Sequence, residues 1–204
     1  MASRMKSGDR RASIVTEAIR LFAEKGFRGT TTRELASALG VTEPVLYQHF
    51  KTKRDLYTAI IETKSREGME RSAGVHLRLE GDDDRGFLTE LAGLILGQFD
   101  HDPGFTRLLF FSALERHELA VLFFDRQVVQ FYDVVAGYFR RRIRAGAFHG
   151  VNPQLAARSF IGMVSYHGQV QLFFDAGLKM PRKKLVDQMV TIFLDGVRAN
   201  GGAK

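Results

Sequence analysis

The 204-residue chain has no cysteine and no tryptophan, and it has only 4 prolines. Without cysteine there is no disulfide framework, no thiolate metal site and no thiol nucleophile. This is compatible with a reducing compartment, and the expected location is the cytoplasm. The prolines, Pro44, Pro103, Pro153 and Pro181, each fit the first turn of a helix, where a missing N–H costs little. No run approaches the ~18 apolar residues of a membrane span. The nearest, residues 87–99, is interrupted by Glu90 and Gln98. The basic N-terminus leads into an amphipathic stretch, so a signal peptide is not expected. The 6 histidines form no His-x-x-x-His or HExxH spacing, and there is no P-loop, GxGxxG or GxSxG. No cofactor and no catalytic activity are therefore expected. His101 beside Asp102, and Glu115 near His117 and Glu118, are the nearest approach to an acid–base cluster, and both read as solvated loop residues.

What charge there is lies unevenly. Residues 1–60 hold 11 Lys and Arg against 6 Asp and Glu, while the other 144 residues hold 19 against 17. Most of the overall +7 therefore sits on a short N-terminal segment. A concentrated positive charge suits a surface that approaches phosphate, and a solvated basic face is the alternative.

The stretch Thr31 to Leu56 separates these two. Thr31 and Glu34 have capping-box spacing and open a short helix with Leu35, Ala36 and Leu39 facing inward. Gly40 supplies the left-handed residue that ends it, and Val41 fills the corner. Thr42 is expected to cap a second short helix, with Pro44 in its first turn. Leu46 and Phe50, four apart, hold that helix to its domain. Two short helices on a tight glycine turn make a poor core but a good probe for a DNA groove. Glu43, Pro44 and Val45 lie at the end presented to base edges, where Glu43 can accept from cytosine and Pro44 or Val45 can touch a thymine methyl. Thr32, Tyr47, His49 and Lys53 carry donors suited to phosphate, and Arg33 is suited to guanine. Lys53 begins the next helix after Thr52, with Asp55 three residues on, so its charge adds to an anion-attracting helix N-terminus.

This segment resembles the DNA-binding domain of the TetR family of bacterial transcriptional regulators. The resemblance covers roughly residues 10–60. It rests on Phe22-Ala23-Glu24-Lys25-Gly26-Phe27, the Thr-Thr-Arg opening at 31–33, the Leu-Gly-Val turn at 39–41, and Leu46-Tyr47-Gln48-His49-Phe50 followed by Lys53 and Leu56. The resemblance implies an all-α protein. Its N-terminal domain, residues 1–60, would hold a three-helix helix-turn-helix, and residues 61–204 would form a helical effector-binding and dimerisation domain. Many relatives have glycine at the position of Pro44 and a basic or polar residue at that of Glu43, so the operator sequence is not implied.

Helical periodicity predicts about nine helices: 9–25, 32–39, 43–49, 53 to about 71, 84–99, 103–115, 117–145, 153–176 and 181–199. The arginines at 140–144 are expected to cap the negative end of the seventh. The last two helices are apolar on more than one face, so something must cover them on both sides. Gly162, Ser165 and Gly168 would permit close approach of a partner helix. A homodimer through these two helices is the preferred reading, and it is what TetR-family architecture implies.

Of the 17 phenylalanines, 14 lie after residue 60. Aromatic residues at helical spacing are usually core, but this many beside methionine and a few polar groups describes an apolar pocket between helices. The candidate lining residues are Phe105, Leu109, Phe123, Gln127, Phe131 and Met163, with Tyr166, His167 and Gln171 orienting a ligand. The leading expectation is a repressor released from a palindromic double-stranded DNA operator by an apolar or aromatic small molecule. The alternatives are an all-helical small-molecule or lipid-binding protein, or enzyme, with an incidental helix-turn-helix, and a regulator without an effector.

Overall fold

The computed structural model describes residues 7–198, with side chains from residue 10 onward except at 118, 119, 122 and 126. The described residues form eleven α-helices: α1 (Ser7–Gly29), α2 (Thr32–Ala38), α3 (Glu43–His49), α4 (Lys53–Arg71), α5 (Ala73–Leu77), α6 (Asp84–His101), α7 (Pro103–Leu114), α8 (Glu118–Phe123), α9 (Val129–Arg144), α10 (Pro153–Phe174) and α11 (Arg182–Val197). An isolated antiparallel bridge joins Phe148 to Arg198. The number exceeds the expected nine for two reasons. A one-turn helix, α5, precedes α6, and the predicted helix over 117–145 contains a π-turn at Phe124–Val128 between α8 and α9. Periodicity cannot register that turn, because one extra residue per turn merely re-phases the apolar stripe. Ala199, expected in the last helix, lies outside the described residues.

The chain divides into two compact units. The first comprises residues up to Gly68 together with Asp102–Phe124. Its core joins Ile14, Val15, Ala18, Leu21 and Phe22 of α1 to Leu35, Leu46, Leu56, Tyr57 and Ile60, and to Phe105 and Leu108 of α7. The expected boundary at residue 60 described functional domains; by packing, α7 and α8 group with the N-terminal helices. Gly26, with φ 73°, kinks α1, and one further turn follows before Gly29. Buried Thr30 satisfies carbonyls near that kink, donating to Gly26 O at 2.9 Å and to Leu21 O at 3.3 Å.

The second unit comprises Met69–His101 and residues from Asp125. Asn152 caps α10 by accepting from the amides of Gln154 and Leu155. Phe87 stacks on Tyr138 at 3.8 Å between ring centroids, and Phe193 meets both Phe139 and Phe160 edge-on. Gly168 lies directly beneath Phe99: a Cβ there would stand 2.4 Å from the Phe99 ring. That glycine, expected to admit a partner helix, is therefore occupied by its own chain. The arginine cluster is also more than a helix cap. Arg142 pairs with Asp84 at 2.7 Å and Asp82 at 2.6 Å, and Arg141 bonds Asp82 and the carbonyls of Leu79 and Gly81. The cluster thereby fastens the loop before α6.

Candidate nucleic-acid interface and effector cleft

α2 and α3 are held by local chemistry at their ends and by few apolar anchors. The amide of Glu34 donates to the Thr31 hydroxyl at 3.2 Å, and the Glu34 carboxylate accepts from the Thr31 amide at 2.8 Å. Lys25 also pairs with Glu34 at 2.6 Å. These bonds, Lys25 first, push the Glu34 carboxyl down to about 2. At the other end, Gly40 is left-handed with φ 63°, and Val41 N–H donates to Ala36 O at 2.9 Å. Together with the Gly40 to Ser37 bond at 3.1 Å this is a Schellman stop, which aims the chain into α3.

Thr42 occupies the cap position of α3, but its hydroxyl makes no capping bond. The reason is Pro44. It removes the amide at the second helical position, and the third, Val45 N–H, donates to the Thr42 carbonyl at 3.0 Å. No donor remains for the hydroxyl, so the expected side-chain cap is replaced by an exposed Thr42.

α3 buries one side chain, Leu46. Pro44, Tyr47 and Gln48 are exposed, and Glu43, Val45 and His49 are half-buried. The polar residues are joined. Tyr47 OH donates to Thr32 Oγ1 at 3.3 Å, Thr32 Oγ1 donates to Glu43 Oε2 at 3.0 Å, and Arg33 Nε lies 3.8 Å from Glu43 Oε1. Four expected contact residues thus form one chain of contacts between the start of α2 and α3. Arg33, with a side chain 90% exposed, is tethered at its Nε.

Lys53 follows a second box, in which Asp55 N donates to Thr52 Oγ1 and Thr52 N donates to Asp55 Oδ2, each at 3.0 Å. Its ammonium turns back to the carbonyl of Phe27 and lies 4.1 Å from the centre of that ring. Burial lowers its pKa, opposed by the charges of Glu115 and Glu34. Two contributors escaped the sequence reading. Arg11 donates to the carbonyl of His49 at 3.1 Å and covers Phe50, so it closes the far end of α3. Glu115 Oε2 accepts from Phe27 N–H at 3.2 Å. With His117 packed on Phe27 at 4.1 Å, this overturns the expectation of solvated loop residues. Neither partner is visible locally, since the pairs lie 38 and 88 residues apart.

The nine expected ligand residues are divided between the two units. Phe105 is buried in the first unit's core, where Phe123 meets it edge-on at 5.6 Å and Leu109 packs alongside. Phe131 and Met163 pack on the second unit's core, and Gln127 is half-buried in the π-turn. Tyr166 is 67% exposed. His167 and Gln171 do meet, in a cleft of about 480 Å3 between α6, α10 and α11. Leu96, Phe99, Leu172, Met180 and Leu185 give it apolar walls, and Arg182 pairs with Asp100 at its edge. Gln171 is committed to its own helix end, donating to Asp175 at 2.9 Å and accepting from Gly177 N–H at 3.0 Å. Among the described residues no group of three His, Asp or Glu is placed to hold a metal ion, and no helix is long and apolar enough to cross a membrane.

A basic helix-turn-helix head followed by a larger helical body defines an all-α DNA-binding transcriptional regulator. Residues 14–60 match the family described as bacterial regulatory proteins, tetR family, and residues 103–196 match the AefR-like transcriptional repressor, C-terminal domain. The chain belongs to the TetR family. It is 29% identical over 177 residues to the nucleoid occlusion factor SlmA of Marinobacter nauticus, covering 84% of this chain and 88% of that one. Over 52 residues it is 46% identical to the class C tetracycline repressor protein of Escherichia coli, which spans 26% of this chain and 24% of that protein. The fold also matches AibR, solved in complex with isovaleryl coenzyme A and operator DNA, with a TM-score of 0.68 at 23% identity over 90% of this chain and 97% of that one.

Proposed function

We propose that the protein is a homodimeric repressor that holds a palindromic operator and is released by an apolar or aromatic effector. The observation that carries this reading is the linked polar surface over α2 and α3. Thr32, Thr42, Tyr47, His49 and Lys53 contact the phosphate backbone, and Arg33, Pro44 and Val45 read bases. Glu43 acts partly through Arg33, whose guanidinium it orients toward a guanine. The dimer forms through α10 and α11, where Leu155, Tyr166 and Ile192 stand exposed on otherwise core-forming helices. The effector enters the cleft at His167, whose imidazole has no hydrogen-bond partner among the described residues and supplies the polar contact in an apolar site. A neighbour of the same fold binds an acyl coenzyme A and operator DNA, which is in keeping with both halves of the proposal.

The test is a duplex selected from a randomised pool on the full-length protein, followed by anisotropy titrations across salt. Affinity should fall steeply, since each phosphate contact contributes about −0.9 to the slope of log K against log salt. Tyr47→Phe and Lys53→Ala should weaken every sequence, whereas Glu43→Ala should alter preference at particular base pairs. A flat salt response, or three variants that behave alike, would refute this division of roles.

A further inference from the structure

The turn after α7 packs against the junction of α1 and α2 and contains one left-handed residue, Arg116. α7 ends in a Schellman stop, with Arg116 N–H donating to Ala113 O at 3.1 Å and His117 N–H to Ser112 O at 2.9 Å. α2 and α9 stop in the same way on Gly40 and Gly146, but here the left-handed residue is Arg116, with φ 51°. A side chain in that conformation is strained, and such strain persists where neighbours over-determine it.

The neighbours are specific. The Glu115 carboxylate accepts from Phe27 N–H and lies against Gly26, where a Cβ would fall 2.6 Å from Oε1. His117 covers the ring of Phe27 at 4.1 Å and that of Tyr57 at 5.3 Å. Tyr57 OH in turn bonds Ser112 of α7. Phe27 therefore has its amide held by Glu115, while its carbonyl and ring hold the ammonium of Lys53. An ammonium has three donors, so one bond to Phe27 leaves two for phosphate oxygens.

We infer that Glu115 is a positioning residue for DNA binding, setting through Phe27 where the charge of Lys53 stands. Hence the end of α7, remote in sequence from the helix-turn-helix, has a hold, through one residue, on one of its phosphate contacts. The inference rests on the phosphate role of Lys53 proposed above.

The full-length protein is titrated with a duplex of about 30 base pairs at several salt concentrations, by anisotropy, with thermal unfolding as a folding control. Lys53→Ala should reduce the salt slope by about one phosphate contact. Glu115→Ala should reduce it equally, and the double variant should lose no more than either single one. Glu115→Gln keeps an oxygen for Phe27 N–H and should retain the wild-type slope. Glu115→Asp keeps the charge but falls one methylene short, so it should lose the contact, and it serves if the alanine variant does not fold. Wild-type slopes for Glu115→Ala and Glu115→Asp would overturn the inference, as would a double variant that loses two contacts. Glutamine behaving like alanine would replace positioning with a charge effect, and overturn it too. If Lys53→Ala left the slope unchanged, the phosphate role of Lys53 would fall first and the inference with it.

Discussion

α3 and α10 are both incomplete surfaces, but in opposite senses. The 7-residue α3 buries one side chain and turns polar groups outward, linked to one another by Thr32 and Glu43. The 22-residue α10 buries Ala156, Ala157, Phe160, Ile161, Val164 and Gly168, yet still shows Leu155 and Tyr166 to solvent. The first presents polar groups to solvent, and the second is short of an apolar cover. On the reading proposed above, the difference separates a face suited to a polyanion from one suited to another helix, because phosphate rewards exposed donors whereas helix packing rewards dehydration.

The sharpest way to break this contrast is Leu46→Ala. Removing a fully buried leucine costs about 2–5 kcal/mol, and within α3 Leu46 is the one buried side chain, with Phe50 at the C-cap the next. Denaturant unfolding should show that loss and DNA binding should vanish, while sedimentation should still report the wild-type oligomer. Loss of the oligomer as well would show that the two surfaces are not independent.

A smaller effect is expected from Ile192→Asp on α11, where the isoleucine is 68% exposed. An interface that buries it should weaken by about 1.5–3 kcal/mol, or roughly ten- to a hundredfold in the dimer dissociation constant. The isolated chain should unfold as before. An unchanged dissociation constant in analytical ultracentrifugation would remove Ile192 from the dimer face.

The smallest effect concerns Glu34. Its carboxyl is held at about 2 in the fold against an ordinary 4.5, so the folded state favours the ionised form. Its contribution to the capping box is complete above about pH 4.5 and is lost as the pH falls through about 2. Amide exchange in α2 should quicken over that window before the second unit responds. Simultaneous loosening of α10 would mean that general acid unfolding, not this box, sets the threshold.

What was legible in the sequence was what is local. The boxes at Thr31–Glu34 and Thr52–Asp55 and the left-handed Gly40 rest on residues within a few positions of one another, and the structure contains each of them. Thr42 shows how such a rule fails: the motif was present, but Pro44 had removed the amide that it serves. The aromatic residues failed differently. Periodicity marks Phe105 and Phe123 as inward-facing without saying into which core, and they pack with α1 rather than beside His167. Arg11 and Glu115 had no local signal at all, because both act on backbone groups supplied by distant segments.

Gly168 makes the cleft depend on a missing methyl group. Phe99 forms one wall only because residue 168 has no side chain, and an alanine there would force the ring to swing aside. One carbon therefore selects the outline of whatever molecule can lodge there. If the cleft takes the proposed effector, a lineage could retune its ligand by altering this codon, leaving α2 and α3 untouched.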